Sequence, residues 1–148
     1  MMSETKVRSK TAERPKASDD KMQLTVAKAS APTMVKGRRD FFTYRDLGVT
    51  AASNGRIRAQ VTAAKVGMSK PTGWHYHVCE SQFVYLLSGW LELEFADRPA
   101  LRLEAGDSIF IPGGLPHNET RTSDAFELLE VSVPADMGTV SCAPPSGR

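Results

Sequence analysis

From Asp40 onward, apolar and polar positions alternate in short runs broken by Gly, Pro, Asn or Asp, the pattern of half-buried strands joined by tight turns. Leu91-Glu92-Leu93-Glu94-Phe95 keeps a strict period of two, which gives a strand with one dry face and one wet face. The pattern predicts strands at approximately Phe41–Tyr44, Arg56–Val66, Trp74–Val78, Phe83–Leu87, Leu91–Phe95, Leu101–Leu103, Ser108–Ile111, His117–Thr122 and Phe126–Val133. Ser88-Gly89, Ala96-Asp97-Arg98-Pro99, Glu104-Ala105-Gly106-Asp107 and Pro112-Gly113-Gly114 carry turn chemistry between them. No segment sustains a helical period, and no repeat of solenoid or propeller length occurs. The expected fold class is all-β, a sandwich or barrel.

Ahead of this pattern, up to about Lys36, there are no aromatic residues and almost no periodic apolar spacing. Such a stretch buries too little surface to offset its ordering entropy. The expected organisation is a disordered basic tail over residues 1–37, a barrel over 38–136, and a flexible Pro/Ser/Gly-rich C-terminal tail over 137–148. A chain of 148 residues has room for one such domain.

Charge follows the same division. The net charge of +2 is the sum of +6 over residues 1–39, with ten Lys/Arg against four acids, and −4 over the remainder. The basic tail lacks aromatic interleaving and is interrupted by acids, so it reads as a solvated arm and not as a nucleic-acid contact. Glu4, Glu13, Asp19 and Asp20 also count against an organellar transit peptide. No run reaches the roughly 18 apolar residues of a membrane helix, and the N-terminus lacks the apolar core of a secretory signal, so a cytoplasmic protein with no membrane partner is expected. Cys79 and Cys142 are too few for a disulfide scaffold and form no CxxC pair. With no helix N-terminus or cation evident beside it, Cys79 is expected to be an inert thiol.

The candidate chemistry lies in the three histidines. His75-Tyr76-His77 places two imidazoles two apart on a predicted strand, hence on one face. His117 follows the rigid turn Pro112-Gly113-Gly114-Leu115-Pro116 and completes a three-imidazole cluster if its strand lies alongside. A lone HxH is more often an ordinary pair of residues than a metal site. A third histidine reached independently shifts the balance toward a divalent transition metal: Fe, Mn, Ni, Zn, Cu or Co.

The spacing resembles the two motifs of the cupin superfamily, G-x5-H-x-H-x(3,4)-E-x6-G followed by G-x5-P-x-G-x2-H-x3-N. Here the first is Pro71-Thr72-Gly73-Trp74-His75-Tyr76-His77-Val78-Cys79-Glu80-Ser81-Gln82, with Gly89 after six more residues. The second is Gly106-Asp107-Ser108-Ile109-Phe110-Ile111-Pro112-Gly113-Gly114-Leu115-Pro116-His117. The resemblance covers roughly residues 56 to 133. It implies a small antiparallel β-barrel, or jelly roll, with a metal held inside by the HxH pair, the Glu position and the second-motif histidine. It also implies a homodimer, for which Phe41, Phe42, Tyr44, Trp74 and Tyr76 offer apolar surface.

Three departures stand out. Gly67 lies eight before His75 where the pattern has six, which implies a longer incoming loop. Arg121 replaces the final Asn, and Gln82 occupies the Glu position. The implied metal ligands are therefore His75, His77, Gln82 and His117. Glu80 competes with Gln82, because spacing to Gly89 favours Gln82 while charge favours Glu80. A Gln ligand brings no charge, so a divalent ion and three neutral imidazoles would total +2 where a Glu ligand leaves +1. Such an ion is a stronger Lewis acid held less tightly.

By parity Val84 and Leu86 share a face with Gln82, and Glu119 and Arg121 share one with His117. An apolar cavity with one acid and one cation suits a small-molecule ligand or substrate. Two function classes follow. One is a metalloenzyme of dioxygenase, isomerase, lyase or decarboxylase type acting on a small oxygenated organic molecule. The other is a non-catalytic small-molecule-binding or sensor protein.

Overall fold

A computed structural model describes residues 21–146. The strands are β1 (Thr33–Val35), β2 (Thr43–Asp46), β3 (Arg58–Ala64), β4 (His75–Val78), β5 (Ser81–Ser88), β6 (Trp90–Phe95), β7 (Arg98–Glu104), β8 (Ser108–Pro112), β9 (His117–Thr122), β10 (Phe126–Val133) and β11 (Gly138–Ser141), with one short helix, α1 (Val49–Ala52). They form two sheets, β1-β2-β3-β10-β5-β8 and β11-β4-β9-β6-β7, paired antiparallel throughout. This is the all-β jelly roll expected. Among the described residues no helix is long and apolar enough to cross a membrane.

Alternation is what turns these strands into a container. Along β5 burial alternates residue by residue, so Gln82, Val84 and Leu86 face inward while Phe83, Tyr85 and Leu87 face out. β6 sends Leu91, Leu93 and Phe95 inward. These side chains meet Phe126, Leu128, Ile111 and Leu103 in one core between the sheets. Phe42 stacks on Phe126 with ring centroids 5.8 Å apart. Truncating a fully buried side chain such as Leu86 to Ala would cost about 2–5 kcal/mol.

The nine predicted strands are present, and their ends differ by no more than three residues, which is ordinary for pattern reading. β1 and β11 carry no such signal. Both are short, outermost in their sheets and almost wholly exposed, so burial imposes no alternation on their sequences.

Both fall inside segments expected to be tails. The stretch expected to be flexible from residue 137 instead contains β11, which pairs with β4 from Gly138↔Val78 to Ser141↔His75. The expected disorder of residues 1–37 falls largely on residues 1–20, outside the described residues. Within residues 21–37, β1 pairs with β2, and Gln23 N donates to Ala52 O. Of the aromatic residues expected at a dimer surface, Phe41, Trp74 and Tyr76 are part-exposed. Tyr44 is buried and Phe42 packs against the core, whereas the exposed apolar row is Phe83, Tyr85, Leu87 and Phe110 on the outer face of the larger sheet.

Ending the chain at Asp136 would strip β11 from β4. The melting temperature is expected to fall by about 5 °C or more, the size of a loss of roughly 2 kcal/mol in a domain of this length. A calorimetric scan showing no change would mean that β11 contributes nothing.

Candidate metal centre

His75 and His77 lie two apart on β4, so both rings enter the space between the sheets, where they are 1% and 3% exposed. His117 opens β9 as the cross-strand partner of His75. Ring centroids are 4.5 Å apart for His75 and His117, 5.0 Å for His77 and His117, and 5.1 Å for His75 and His77. One nitrogen from each ring lies within 4.8 Å of the other two.

Two turns hold β4 and β9 at this register. Gly113 N donates to Glu80 O at 3.0 Å, and Gly114 N donates to His77 O at 2.9 Å. A side chain at Gly113 would overlap the Cys79 carbonyl, so only glycine permits the approach. The sequence motif's Pro-Gly-Gly turn is thus the clasp that brings the third histidine to the first two.

Each ring is also oriented from behind. His75 Nδ1 lies 2.7 Å from Gly73 O and His117 Nδ1 lies 2.9 Å from Leu115 O. Carbonyls only accept, so both Nδ1 atoms carry a proton, and in the neutral rings both Nε2 atoms present a lone pair inward. His77 Nδ1 is 3.0 Å from Thr139 Oγ1 and 3.4 Å from Arg38 Nη1, and Arg38 Nη1 donates to the Thr139 hydroxyl as well. Burial lowers the pKa of His75, with the Glu119 carboxylate opposing. His77 is pushed down to about 3, first by burial and then by the Arg38 guanidinium and the other two rings. Neutral imidazole is the form that ligates a metal.

The donor set fits a divalent transition ion. His75 Nε2, His117 Nε2 and Gln82 Oε1 are buried without a hydrogen-bond partner among the described residues. An orphaned buried polar atom costs about 1–3 kcal/mol, which a shared cation would offset. Gln82 sits on β5 between Ile111 and Ser132, 7% exposed, and lines the same cavity as His77. Glu80 lies in the turn between β4 and β5 and is exposed, its backbone tied to Val133 and Gly113. Of the two residues competing for the fourth position, Gln82 is therefore the one that faces inward.

Parity carries Glu119 inside with His117. Its Oε2 is 3.4 Å from His75 Nε2 and its Oε1 is 3.7 Å from His117 Nε2. The expected companion, Arg121, is not there. The β6–β9 register slips so that Leu93 faces Glu119 and Glu92 faces Arg121, which makes Thr120 an extra residue. This bulge reverses the alternation, and Arg121 turns out to solvent, its guanidinium carbon 5.5 Å from the Trp90 ring centroid.

The cations of the cavity come from the other sheet and its approach. A space of about 310 Å³ opens beside His77, Gln82 and Glu119, and Lys36, Arg38, Arg39 and Arg58 line it. Arg58 is paired with Glu130 at 3.0 Å. Arg38 and Thr139 escaped the sequence reading because they flank the barrel in stretches without strand periodicity. The Arg38-Arg39 doublet at the boundary is the one signal that could have pointed to them. Burial pushes the Cys79 thiol up, as suits the inert role expected of it.

Residues 63–133 match the model of the cupin domain family. Among solved structures, the polyketide cyclase RemF from Streptomyces resistomycificus is 20% identical with a TM-score of 0.65, covering 84% of this chain and 89% of that one. KdgF from Halomonas sp. is 15% identical at 0.62, covering 76% and 94%. The DMSP lyase DddQ from Ruegeria pomeroyi is 26% identical at 0.51, covering 64% of this chain and 46% of that one. No curated protein matches the chain significantly in sequence. Residues 63–133 therefore make up a cupin domain. Its structural neighbours include enzymes, and the first two share its fold at identities too low to carry more than the fold.

Gly113→Ala should drive the clasp apart, costing about 1–3 kcal/mol as over-packing does and disrupting the histidine cluster with it. Thermal melts and a Co2+ titration of this variant check both effects; wild-type values would exclude the clasp. The pH dependence of the metal-free protein has a definite sign. His75 and His77 are depressed below the unfolded value of about 6.5, so their contribution is complete above that pH and is lost as pH falls toward the folded values. The melting temperature should therefore drop between about pH 6.5 and 4, and His77→Gln should flatten the drop.

Proposed function

We propose that this chain is a metal-dependent enzyme acting on a small, anionic, oxygenated organic molecule, with lyase, isomerase or oxygenase chemistry. The observation that carries the reading is a cluster of three imidazoles, one of which, His77, lines a cavity that carries four basic residues against the two acids Glu119 and Glu130. His75, His77 and His117 would hold the ion, with Gln82 Oε1 as a neutral fourth donor.

A divalent ion there supplies Lewis acidity toward an oxygen of the substrate. The remaining work falls to the chain. Arg38 and Arg39 offer their charge to an acidic group of the substrate. Val84, Leu93, Ile109 and Phe126 wall the cavity and exclude water, which strengthens every polar contact inside it. Thr139 and Arg38 both reach His77 Nδ1 from behind and fix the orientation of its ring. The cavity is at the low end of the roughly 300–1,000 Å³ usual for ligand pockets, which favours a small metabolite over a polymer. DMSP lyase and oxalate decarboxylase among the structural neighbours accord with this reading by name.

Elemental analysis of protein purified without chelator should find one transition metal per chain, and His75→Ala and His117→Ala should each lose it. Metal-loaded protein should turn over at least one member of a panel of small carboxylates, followed by oxygen uptake and by ultraviolet absorbance of unsaturated products. Unchanged metal content in both variants defeats the reading. Tight binding of a panel member without turnover would support the sensor alternative.

A further inference from the structure

We infer that Glu119 is an anionic ligand of this metal centre, supplying from β9 the negative charge that Gln82 does not supply from β5. The inference rests on the reading of the three histidines as metal ligands and adds a residue to it.

The lone pairs carry the argument. His75 Nδ1 and His117 Nδ1 point at the carbonyls of Gly73 and Leu115, so in the neutral rings that ligate a metal each Nε2 is an acceptor. Both face one carboxylate, with Oε2 of Glu119 at 3.4 Å from His75 Nε2 and Oε1 at 3.7 Å from His117 Nε2. Among the described residues neither Nε2 atom has a hydrogen-bond partner. Four acceptor atoms converge with no donor among them, an arrangement that repels itself. A cation in their midst turns each repulsion into an attraction. Metal–donor lengths of about 2.0–2.2 Å place adjacent donors roughly 3.0–3.5 Å apart, so the 3.4 Å separation falls within that range and the 3.7 Å one lies just beyond it.

The carboxylate is held for this task. Thr72 N donates to Glu119 O at 2.9 Å, and Glu119 N donates to Thr72 Oγ1 at 3.2 Å. The single hydroxyl proton of Thr72 is left to reach Glu119 Oε2, at 2.7 Å. This clip joins the loop before β4 to β9 and aims the carboxylate at the two rings. With Glu119 bound, a divalent ion and neutral imidazoles total +1, the charge that a cupin site with Glu in its first motif would have. The carboxylate has moved from one strand to another.

Full-length protein stripped by chelator and titrated with Co2+ tests this, because affinity and visible d–d bands are read without any substrate. Wild type should bind one Co2+, and His75→Ala should abolish binding. Glu119→Gln should weaken affinity by about 100-fold or more, beyond the loss of a merely supporting group, and should shift the bands. The metal-free melting temperature should stay within a few degrees of wild type. Glu119→Asp, which keeps the charge but retracts it, should fall between the two and serves if Glu119→Gln does not fold. Wild-type affinity and bands in either Glu119 variant would overturn the inference while leaving the three-histidine reading intact. Failure of wild type to bind Co2+, or unchanged binding in His75→Ala, would overturn both.

Discussion

The docking of one turn on another is the constraint from which the rest of the site follows. Where Gly113 and Gly114 close on the carbonyls of Glu80 and His77, two backbones meet without a side chain between them. That contact sets the short β4–β9 pairing, a single His75↔His117 bridge, and so decides whether three imidazoles converge or lie on separate strands. The large core between the sheets gives the barrel its stability, but it is indifferent to the histidines. The clasp is where stability and chemistry are coupled.

Around that clasp the polar groups are arranged for a positive charge. The outward nitrogens of His75 and His117 are held by backbone carbonyls and that of His77 by a threonine hydroxyl. The inward nitrogens of His75 and His117 therefore face the Glu119 carboxylate as acceptors, in a space that burial has made poor in water. Further out the sign reverses, with Lys36 and three arginines on the cavity lining. A centre that collects acceptors, approached through a ring of cations, is suited to an ion within and an anion arriving.

The two ends of the described chain complete this arrangement. Arg38 comes from the approach to β2 and Thr139 from β11, and they meet at His77 Nδ1. Neither belongs to a motif or to the hydrophobic core. Their contribution is to fix the orientation of one ring, which links edge pairing of β11 to the geometry of the centre.

Much of this was legible in the residues. Period-two patterning reveals every strand that buries a face, and the HxH pair and His117 stand out by spacing, because the demands of burial and ligation act on local sequence. Gln82 over Glu80 was open from spacing and charge; the barrel shows Gln82 inside because β5 begins before it and its parity is set by Val84 and Leu86. What only tertiary structure decided has one physical cause: those features depend on partners distant in sequence that leave no periodic trace. The bulge at Thr120 sends Arg121 out while Glu119 stays in. β11 is an exposed edge, so nothing in its composition marks it as a strand. By itself the sequence determined the barrel and the three imidazoles; the packing of distant strands determined which charges surround them.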